Sequence, residues 1–360
     1  MDASYSLMVR QLTREALTFG WSKFDPGAAL LCVPAIALPL VIGVSTGHPR
    51  PAVTATAGAF SVGFGSFQEL RHSRVAPMWV AAIGMCVSSW IGTLAGHSDV
   101  ATIVVSALGG FVYGTVWTLS PGTAWTALQC LIWLVISTAY PQSGLHALTR
   151  GAYVLGGGLI QMVIVLAIWK FQGHPGPVMG GSSSAEERHL LAHAMSADWG
   201  RRLQAIRTAI ILAMASAAYR YLALPNGYWI PMTAAIVTKP ELRQTFQRGF
   251  ARVVGTLAGA ALATLIASAL RPMPRILAGL VVIFAWICYA LIYVNYAGFA
   301  VSVTAYVVFF LALAGLPETA LISHRILNTL LGGVIGLMVH AMFSPLEQSW
   351  EGRRSLRRSV

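Results

Sequence analysis

Long apolar stretches alternate with short polar segments along most of the chain. A helix needs about 20 mainly apolar residues to cross a bilayer. The pattern predicts twelve helical spans, at 28–46, 52–67, 76–95, 101–119, 123–140, 151–169, 208–224, 228–238, 253–270, 276–294, 297–316 and 326–343. The expected fold class is therefore all-α, a polytopic membrane protein with about twelve transmembrane helices.

The segments between the apolar stretches divide the chain into five parts. Residues 1–27 are amphipathic and are expected to form a cytoplasmic prelude at the membrane interface. Residues 171–207 open with linker composition, rich in Gly, Pro and Ser, and continue as a predicted interfacial helix. Residues 345–360 form a basic cytoplasmic tail. Two transmembrane halves of six helices each are then expected, at 28–170 and 208–344.

The two halves share a pattern. Arg150 is followed seven residues later by the pair Gly157-Gly158, and Arg325 is followed seven residues later by Gly332-Gly333, an offset of 175 residues. Because six spans return the chain to its starting side, both copies would enter the membrane from the same side. The sequence therefore predicts two parallel six-helix repeats.

Composition agrees with a membrane protein and excludes several other classes. Hydrophobic residues make up 56% of the chain, charged residues only 10%, and the mean hydropathy is +0.67. A soluble domain carries charge at about a quarter of its positions, so a soluble enzyme and a disordered scaffold are excluded.

The charge balance predicts an orientation. The chain has 24 Lys and Arg against 12 Asp and Glu. If both termini are cytoplasmic, 18 basic residues fall on the cytoplasmic side and 6 on the other, as the positive-inside rule requires. The bases lie beside spans, so the expected partners are anionic lipid headgroups and not nucleic acid.

No enzyme signature, cofactor motif or metal site is recognised. His189 and His193 stand four residues apart in the linker without a third strong ligand nearby. His340 lies within the last span, where it is either a neutral, hydrogen-bonded core residue or a proton carrier. We therefore expect no catalytic activity, no cofactor and no metal.

The eighth span is unusually short and is flanked by prolines. It carries Tyr228, Trp229, Pro231 and Thr233 and ends before Lys239. Broken helices line substrate sites in transporters, where a proline can leave a carbonyl free. The alternative is an aromatic belt at the interface with Lys239 as a cytoplasmic anchor.

Two arginines form a matched pair. Arg150 and Arg325 are expected at the outer starts of the sixth and twelfth spans, where a guanidinium adds to the positive end of a helix and favours an anion. Asn328, one turn further on, is a hydrogen-bond partner for a substrate or a helix-packing residue.

The second half also resembles a known family. The motifs are NGYWIPMT at 226–233, Lys239-Pro240, RVVGTLAG at 252–259, and Arg325 followed by TLLGG at 329–333. In these motifs, residues 207–343 resemble the fusaric acid resistance protein-like family of integral membrane transporters, which belongs with the aromatic acid exporters. The first half lacks the Tyr-Trp-x-Pro element.

The resemblance implies a transporter in the bacterial inner membrane that exports aromatic carboxylic acids or related organic anions. In that interpretation Trp229 stacks on the substrate, while Thr233 and the backbone freed by Pro231 orient it. The cations expected to attract it are Lys239, Arg243, Arg252 and Arg325, and the candidate substrate-binding set is completed by Tyr228, Asn328 and Arg150. A periplasmic adaptor protein and a homo-oligomer remain open as partners. Two alternatives also remain open: a passive organic-anion channel, and a non-transporting membrane scaffold in envelope assembly.

Overall fold

The computed structural model describes residues 18–70, 73–173, 199–270, 273–316 and 318–358, with the side chains of the last range described only for 323–345. These residues form twelve α-helices and no β-strand. The helices are α1 Pro26–Ser45, kinked at Cys32, α2 Pro49–Gly63, α3 Ala76–Ala95, α4 Asp99–Val116, α5 Pro121–Thr138, α6 Gly144–Phe171, α7 Trp199–Tyr221, α8 Trp229–Val237, α9 Leu242–Leu270, α10 Pro274–Leu291, α11 Tyr296–Leu313 and α12 Glu318–Arg358. The all-helical fold class is confirmed.

Helix starts follow from local chemistry. Asp25 precedes Pro26, and its Oδ1 accepts a hydrogen bond of 2.8 Å from the backbone N–H of Ala28. The side chain of Asn295 caps α11 in the same way, through the N–H of Gly298. A capping oxygen satisfies one of the four N–H groups that a helix start leaves open, and a proline at the first position loses no bond there.

Eight of the described helices are long and apolar enough to cross a membrane: α1, α3, α4, α6, α9, α10, α11 and the part of α12 at Ser323–Pro345. Helices α2 and α8 have only 15 and 9 residues, and α5 and α7 are long enough but more polar. Large apolar side chains such as Val41, Leu108, Val163, Leu265 and Met342 lie exposed on the outer surface, as expected for helices in contact with lipid. The protein is a multi-pass membrane protein.

Two helices extend further than the apolar pattern predicts. Helix α7 begins at Trp199, before the expected start of the seventh span at 208, so the described end of the linker is continuous with it. Helix α12 continues through Pro345 to Arg358. The rest of the predicted prelude and interfacial helix, 1–17 and 174–198, lies outside the described residues, as do His189 and His193.

Helix packing follows the same scheme in both halves. In the first half α2 packs on α6, α3 on α5 and α6, α4 on α5, and α1 on α2 and α6. In the second half α8 packs on α12, α9 on α11 and α12, α10 on α11, and α7 on α8 and α12. Between the halves, α4 packs on α7, α10 on α1, α5 on α8 and α11 on α2. The short helix α8 is thus surrounded by helices from both halves.

Candidate functional site

Helix α8 is a short buried rod in the centre of the second half. Its nine residues span about 14 Å, half the thickness of a bilayer core. Every residue except Ile236 is buried. The helix ends at Val237, and Thr238 has an extended backbone. Lys239 follows and precedes Pro240, and the residue before a proline disfavours the helical conformation. The two ends are called here the Trp229 end and the Lys239 end.

Pro231 does not free a carbonyl, contrary to expectation. It occupies the third position of α8, where the N–H of a helix has no partner within the helix to lose. The carbonyl of Gly227, which the missing N–H would have reached, accepts a hydrogen bond of 2.9 Å from Ile230. The proline therefore fits the first turn, and the predicted substrate-orienting carbonyl is corrected.

Arg325 packs against the face of Trp229. The guanidinium carbon lies 4.9 Å from the centre of the indole ring, which is a cation–π contact. Both side chains are 2% exposed. The Nε and Nη1 atoms of Arg325 have no hydrogen-bond partner among the described residues. Burying a guanidinium whose donors have no hydrogen-bond partner costs free energy, unless an acceptor binds to those donors.

A row of aromatic rings connects this pair to Arg150 on the first half. The ring of Trp229 lies 5.6 Å from that of Tyr228, which lies 6.2 Å from that of Tyr140. The guanidinium of Arg150 lies 4.2 Å from the Tyr140 ring. The row therefore carries one arginine from each half at its two ends.

Neither arginine lies at a helix start, which corrects the expectation. Helix α6 begins at Gly144 and α12 at Glu318, so Arg150 and Arg325 lie well inside their helices, beyond the first turn. The positive end of the helix dipole therefore does not act directly beside them. Only the positive charges of the two buried arginines themselves remain to favour an anion.

Asn328 holds the turn that leads into α8. Its Nδ2 donates hydrogen bonds of 3.1 Å to the carbonyls of Pro225 and Asn226. Asn226 has a φ of 53°, in the left-handed region that asparagine tolerates. Asn328 is thus a positioning residue for the Trp229 end, while its Oδ1 has no partner within the described chain.

Two further candidates lie deeper in the second half. Arg252 is 3% exposed, and its Nε has no described hydrogen-bond partner. Its charge acts on Arg325. Thr233 is buried, with an unbonded hydroxyl, on the face of α8 that meets Gly332 of α12. The fold therefore gathers Thr233, Arg252 and Arg325 around α8.

The Lys239 end carries a second group of cations. The amine of Lys239 lies 4.3 Å from the Trp117 ring, and the guanidinium of Arg248 lies 3.5 Å from the Tyr296 ring. Burial and the nearby Arg248 charge lower the pKa of Lys239 to about 7. Arg243, by contrast, is exposed.

The contact between Arg207 and His340 was not predicted from the sequence. Arg207 is fully buried, and its Nη2 donates to the carbonyls of Lys239 and Pro240 at 3.2 and 3.1 Å. Its Nη1 lies 2.9 Å from Nε2 of His340. The sequence assigned Arg207 only a topological role, and nothing in the sequence indicated which helix it would meet.

Two cavities open between the halves at the Lys239 end, of about 610 and 230 Å³. They are lined by Lys23, Asp25, Ala28, Leu31, Ser66, Phe67, Gln68, Glu69, Arg74, Pro121, Gly122, Trp169 and Tyr293. None of the ten candidate residues lines either cavity.

Comparisons with known proteins bear on the second half. Residues 212–339 match the fusaric acid resistance protein-like family. The resemblance predicted from the motifs is thereby confirmed. With the eight apolar helices, the match supports a multi-pass membrane protein. Within the described residues, no group of three or more His, Cys, Asp and Glu could hold a metal ion.

One curated relative also matches. An uncharacterized protein of Haemophilus influenzae is 28% identical over 131 residues, which are 36% of this chain and 18% of the relative. The matched region thus covers less than a fifth of the relative's length. No solved structure matches the chain.

Proposed function

We propose that the chain exports organic anions, aromatic carboxylic acids foremost, across a bacterial inner membrane. The observation that carries the proposal is the Arg325–Trp229 pair: a buried guanidinium with two unbonded nitrogens, lying on an aromatic face. A carboxylate can accept from such a guanidinium while its ring stacks on the aromatic row.

The surrounding charges favour an anion over a cation. Arg252 adds a second buried positive charge, and Arg150 closes the far end of the row. The described residues contain no carboxylate in ion-pair contact with any of these three arginines. Buried positive charges repel one another, so an anion bound between the arginines would reduce this repulsion.

We further propose twelve spans arranged as two parallel repeats, with both termini cytoplasmic. Close glycine contacts support the repeat. A Cβ atom at Gly96 would lie under 3.0 Å from the carbonyl oxygen of Thr138, and one at Gly259 equally close to that of Val301. Gly96 and Gly259 are 163 positions apart, and so are Thr138 and Val301.

A second helix pair supports the same repeat. A Cβ at Gly157 would meet the carbonyl of Ala55, and one at Gly332 would meet that of Ile230, again inside 3.0 Å. Both pairs are offset by 175 residues. Close backbone contact at small residues is how membrane helices associate, and here the same partners recur.

The repeat keeps one arginine of the site, because the offset of 175 aligns Arg325 with Arg150, but it does not keep the others. The offsets align Arg252 with Ser89 and Trp229 with Thr54, so the first half has small neutral residues at these two positions. We therefore propose that the substrate site lies between the halves and is built mainly from the second.

The test is flux from proteoliposomes loaded with benzoate and related aromatic and aliphatic carboxylates, with and without a pH gradient. Gradient-accelerated efflux of aromatic acids, lost in Arg325→Gln and kept in Arg50→Gln, is the expected result. Arg50 is an exposed arginine at the same end of the bundle. Flux that follows voltage alone would favour the anion channel, and absence of flux for every acid would favour the scaffold.

A further inference from the structure

A second set of donors and cations lies at the Lys239 end, away from Trp229. Helix α4 of the first half ends here, facing the turn after α8 and the first part of α9. Trp117 follows α4 and carries the Lys239 amine on its ring, 4.3 Å from the ring centre. Tyr296 at the start of α11 carries the Arg248 guanidinium, 3.5 Å away.

Tyr113 completes the set. Its side chain is 2% exposed, and its ring lies edge-on to Trp117 with the centres 5.1 Å apart. Trp117 thus lies against both Tyr113 and the Lys239 amine, and the Arg248 charge acts on these two groups. Tyr113, Lys239 and Arg248 come from three separate elements and from both halves.

These groups offer donors without a matching acceptor. The Nε of Arg248 and the hydroxyls of Tyr113 and Tyr296 are buried, and none has a hydrogen-bond partner in the described parts of the chain. No described carboxylate forms an ion pair with Lys239 or Arg248. Buried polar groups are nearly always bonded, so several unbonded donors beside two cations indicate a ligand that accepts.

We propose that Lys239, Arg248 and Tyr113 bind a small carboxylate anion, with Trp117 and Tyr296 as the rings that hold the two cations in place. This site lies at the opposite end of α8 from the Arg325–Trp229 pair. Binding at this site is measured on the purified protein, so the result does not depend on whether the protein transports anions.

The chemistry fits a carboxylate because two oxygens can share three donors. The Lys239 amine and the Arg248 guanidinium supply charge-assisted bonds, and the Tyr113 hydroxyl supplies a neutral one. Each cation already rests on an aromatic ring, so little side-chain freedom is lost when the anion arrives. The lowered pKa of Lys239, about 7, agrees with an amine that lacks its counter-charge.

The experiment is calorimetric titration of the purified full chain in detergent with benzoate, and in parallel with phosphate and chloride. It uses the Arg325→Gln background, so that the Trp229 end does not contribute. We expect one saturable benzoate site, weakened about tenfold or more by Arg248→Gln and a few-fold by Tyr113→Phe. Matched controls are Arg202→Gln and Tyr153→Phe, which change exposed residues and should leave the affinity as it is.

Thermal unfolding of each variant shows whether it is folded. If Arg248→Gln fails to fold, Arg248→Lys and Tyr113→Phe carry the test, with weaker binding expected in both. Benzoate affinity that is equal in Arg248→Gln, Tyr113→Phe and the background protein would overturn the proposal. Absence of saturable benzoate binding, or binding of phosphate or chloride alone, would overturn it as well.

Discussion

Arg207 of α7 and His340 of α12 share a buried hydrogen bond, with Nη1 and Nε2 separated by 2.9 Å. A guanidinium only donates, so Nε2 must accept and cannot carry a proton. The proton then lies on Nδ1, which donates to the hydroxyl of Thr245 at 3.0 Å. His340 is therefore neutral in this arrangement, which agrees with the hydrogen-bonded core histidine that was one of its two sequence interpretations.

The first prediction concerns this pair. Arg207→Leu removes the bond to His340 and the two bonds to the carbonyls of Lys239 and Pro240, leaving buried acceptors unpaired. We expect a loss of roughly 2–4 kcal/mol in stability. Thermal unfolding in detergent measures it. Arg202→Leu, an exposed change on the same helix, should be near neutral, and equal melting of both variants would contradict the assigned role.

The second prediction uses neighbouring glycines on α12. Gly332→Ala places a Cβ against the carbonyl of Ile230 and should displace α8, at a cost of about 1–3 kcal/mol. Gly333→Ala meets nothing within 4 Å and should leave stability unchanged or slightly raised, since alanine favours helix. Melting temperature and benzoate flux are measured on both. If the two variants were indistinguishable, the close α8–α12 contact would be wrong.

The third prediction tests the repeat in the first half. Gly157→Ala should cost about as much as Gly332→Ala, because its Cβ meets the carbonyl of Ala55 in the same way. Gly156→Ala, with open space around it, is the matched control. Comparable destabilisation in the two halves would support equivalent helix pairs. A harmless Gly157→Ala would count against the repeat.

The fourth prediction concerns the aromatic face under Arg325. Trp229→Leu removes the ring that holds the guanidinium and should raise the KM for benzoate export by about tenfold, whereas Trp229→Phe keeps part of the contact and should raise it less. Trp79→Leu, on an exposed tryptophan, serves as control. An unchanged KM in Trp229→Leu would remove Trp229 from the substrate site.

The fifth prediction is a pH dependence at the Lys239 end. The pKa of Lys239 is lowered to about 7, so the amine of the unliganded protein loses its charge as the pH rises through 7. Anion binding needs the charged form, so benzoate affinity should be constant well below pH 7 and fall above it, by up to about tenfold per pH unit. Titrations from pH 6 to 9 measure this.

The control for that dependence is Lys239→Arg, whose guanidinium stays charged throughout. In the Arg325→Gln background its affinity should be flat over the same range. An equally flat profile for the background protein, which keeps Lys239, would contradict the prediction. The other charged or titratable side chains around Lys239 and its turn are Arg207, Arg248, Tyr113, His340 and Glu241.

The sequence predicted the helices well because lipid imposes a strong pattern. A spanning helix must be apolar over a known length, so the boundaries of α3, α5 and α11 are close to those expected. It predicted helix starts less well. Helices α6 and α12 begin in polar sequence before the apolar stretch, which is why Arg150 and Arg325 lie deeper than expected.

The contacts between helices could not be predicted from the sequence. Pairings such as Arg207 with His340, 133 positions apart, or Tyr140 with Tyr228 depend on which helices become neighbours. The sequence marks His340 as an ionisable residue within a span, but it contains no local signal for the residue that each of these side chains meets. The short α8 and its Trp229 were identifiable because the predicted span at 228–238, eleven residues long, is too short to cross a bilayer as a straight helix.

Arginines that remain charged inside the helix bundle have one more effect, on ions other than the substrate. A fixed positive charge beside a pathway repels protons and sodium ions, as the arginine in water channels does. Arg325 and Arg252 are both buried, and the charge of Arg252 acts on Arg325. In the proposed export function, these charges would let an acid anion pass while they hinder a parallel leak of sodium ions.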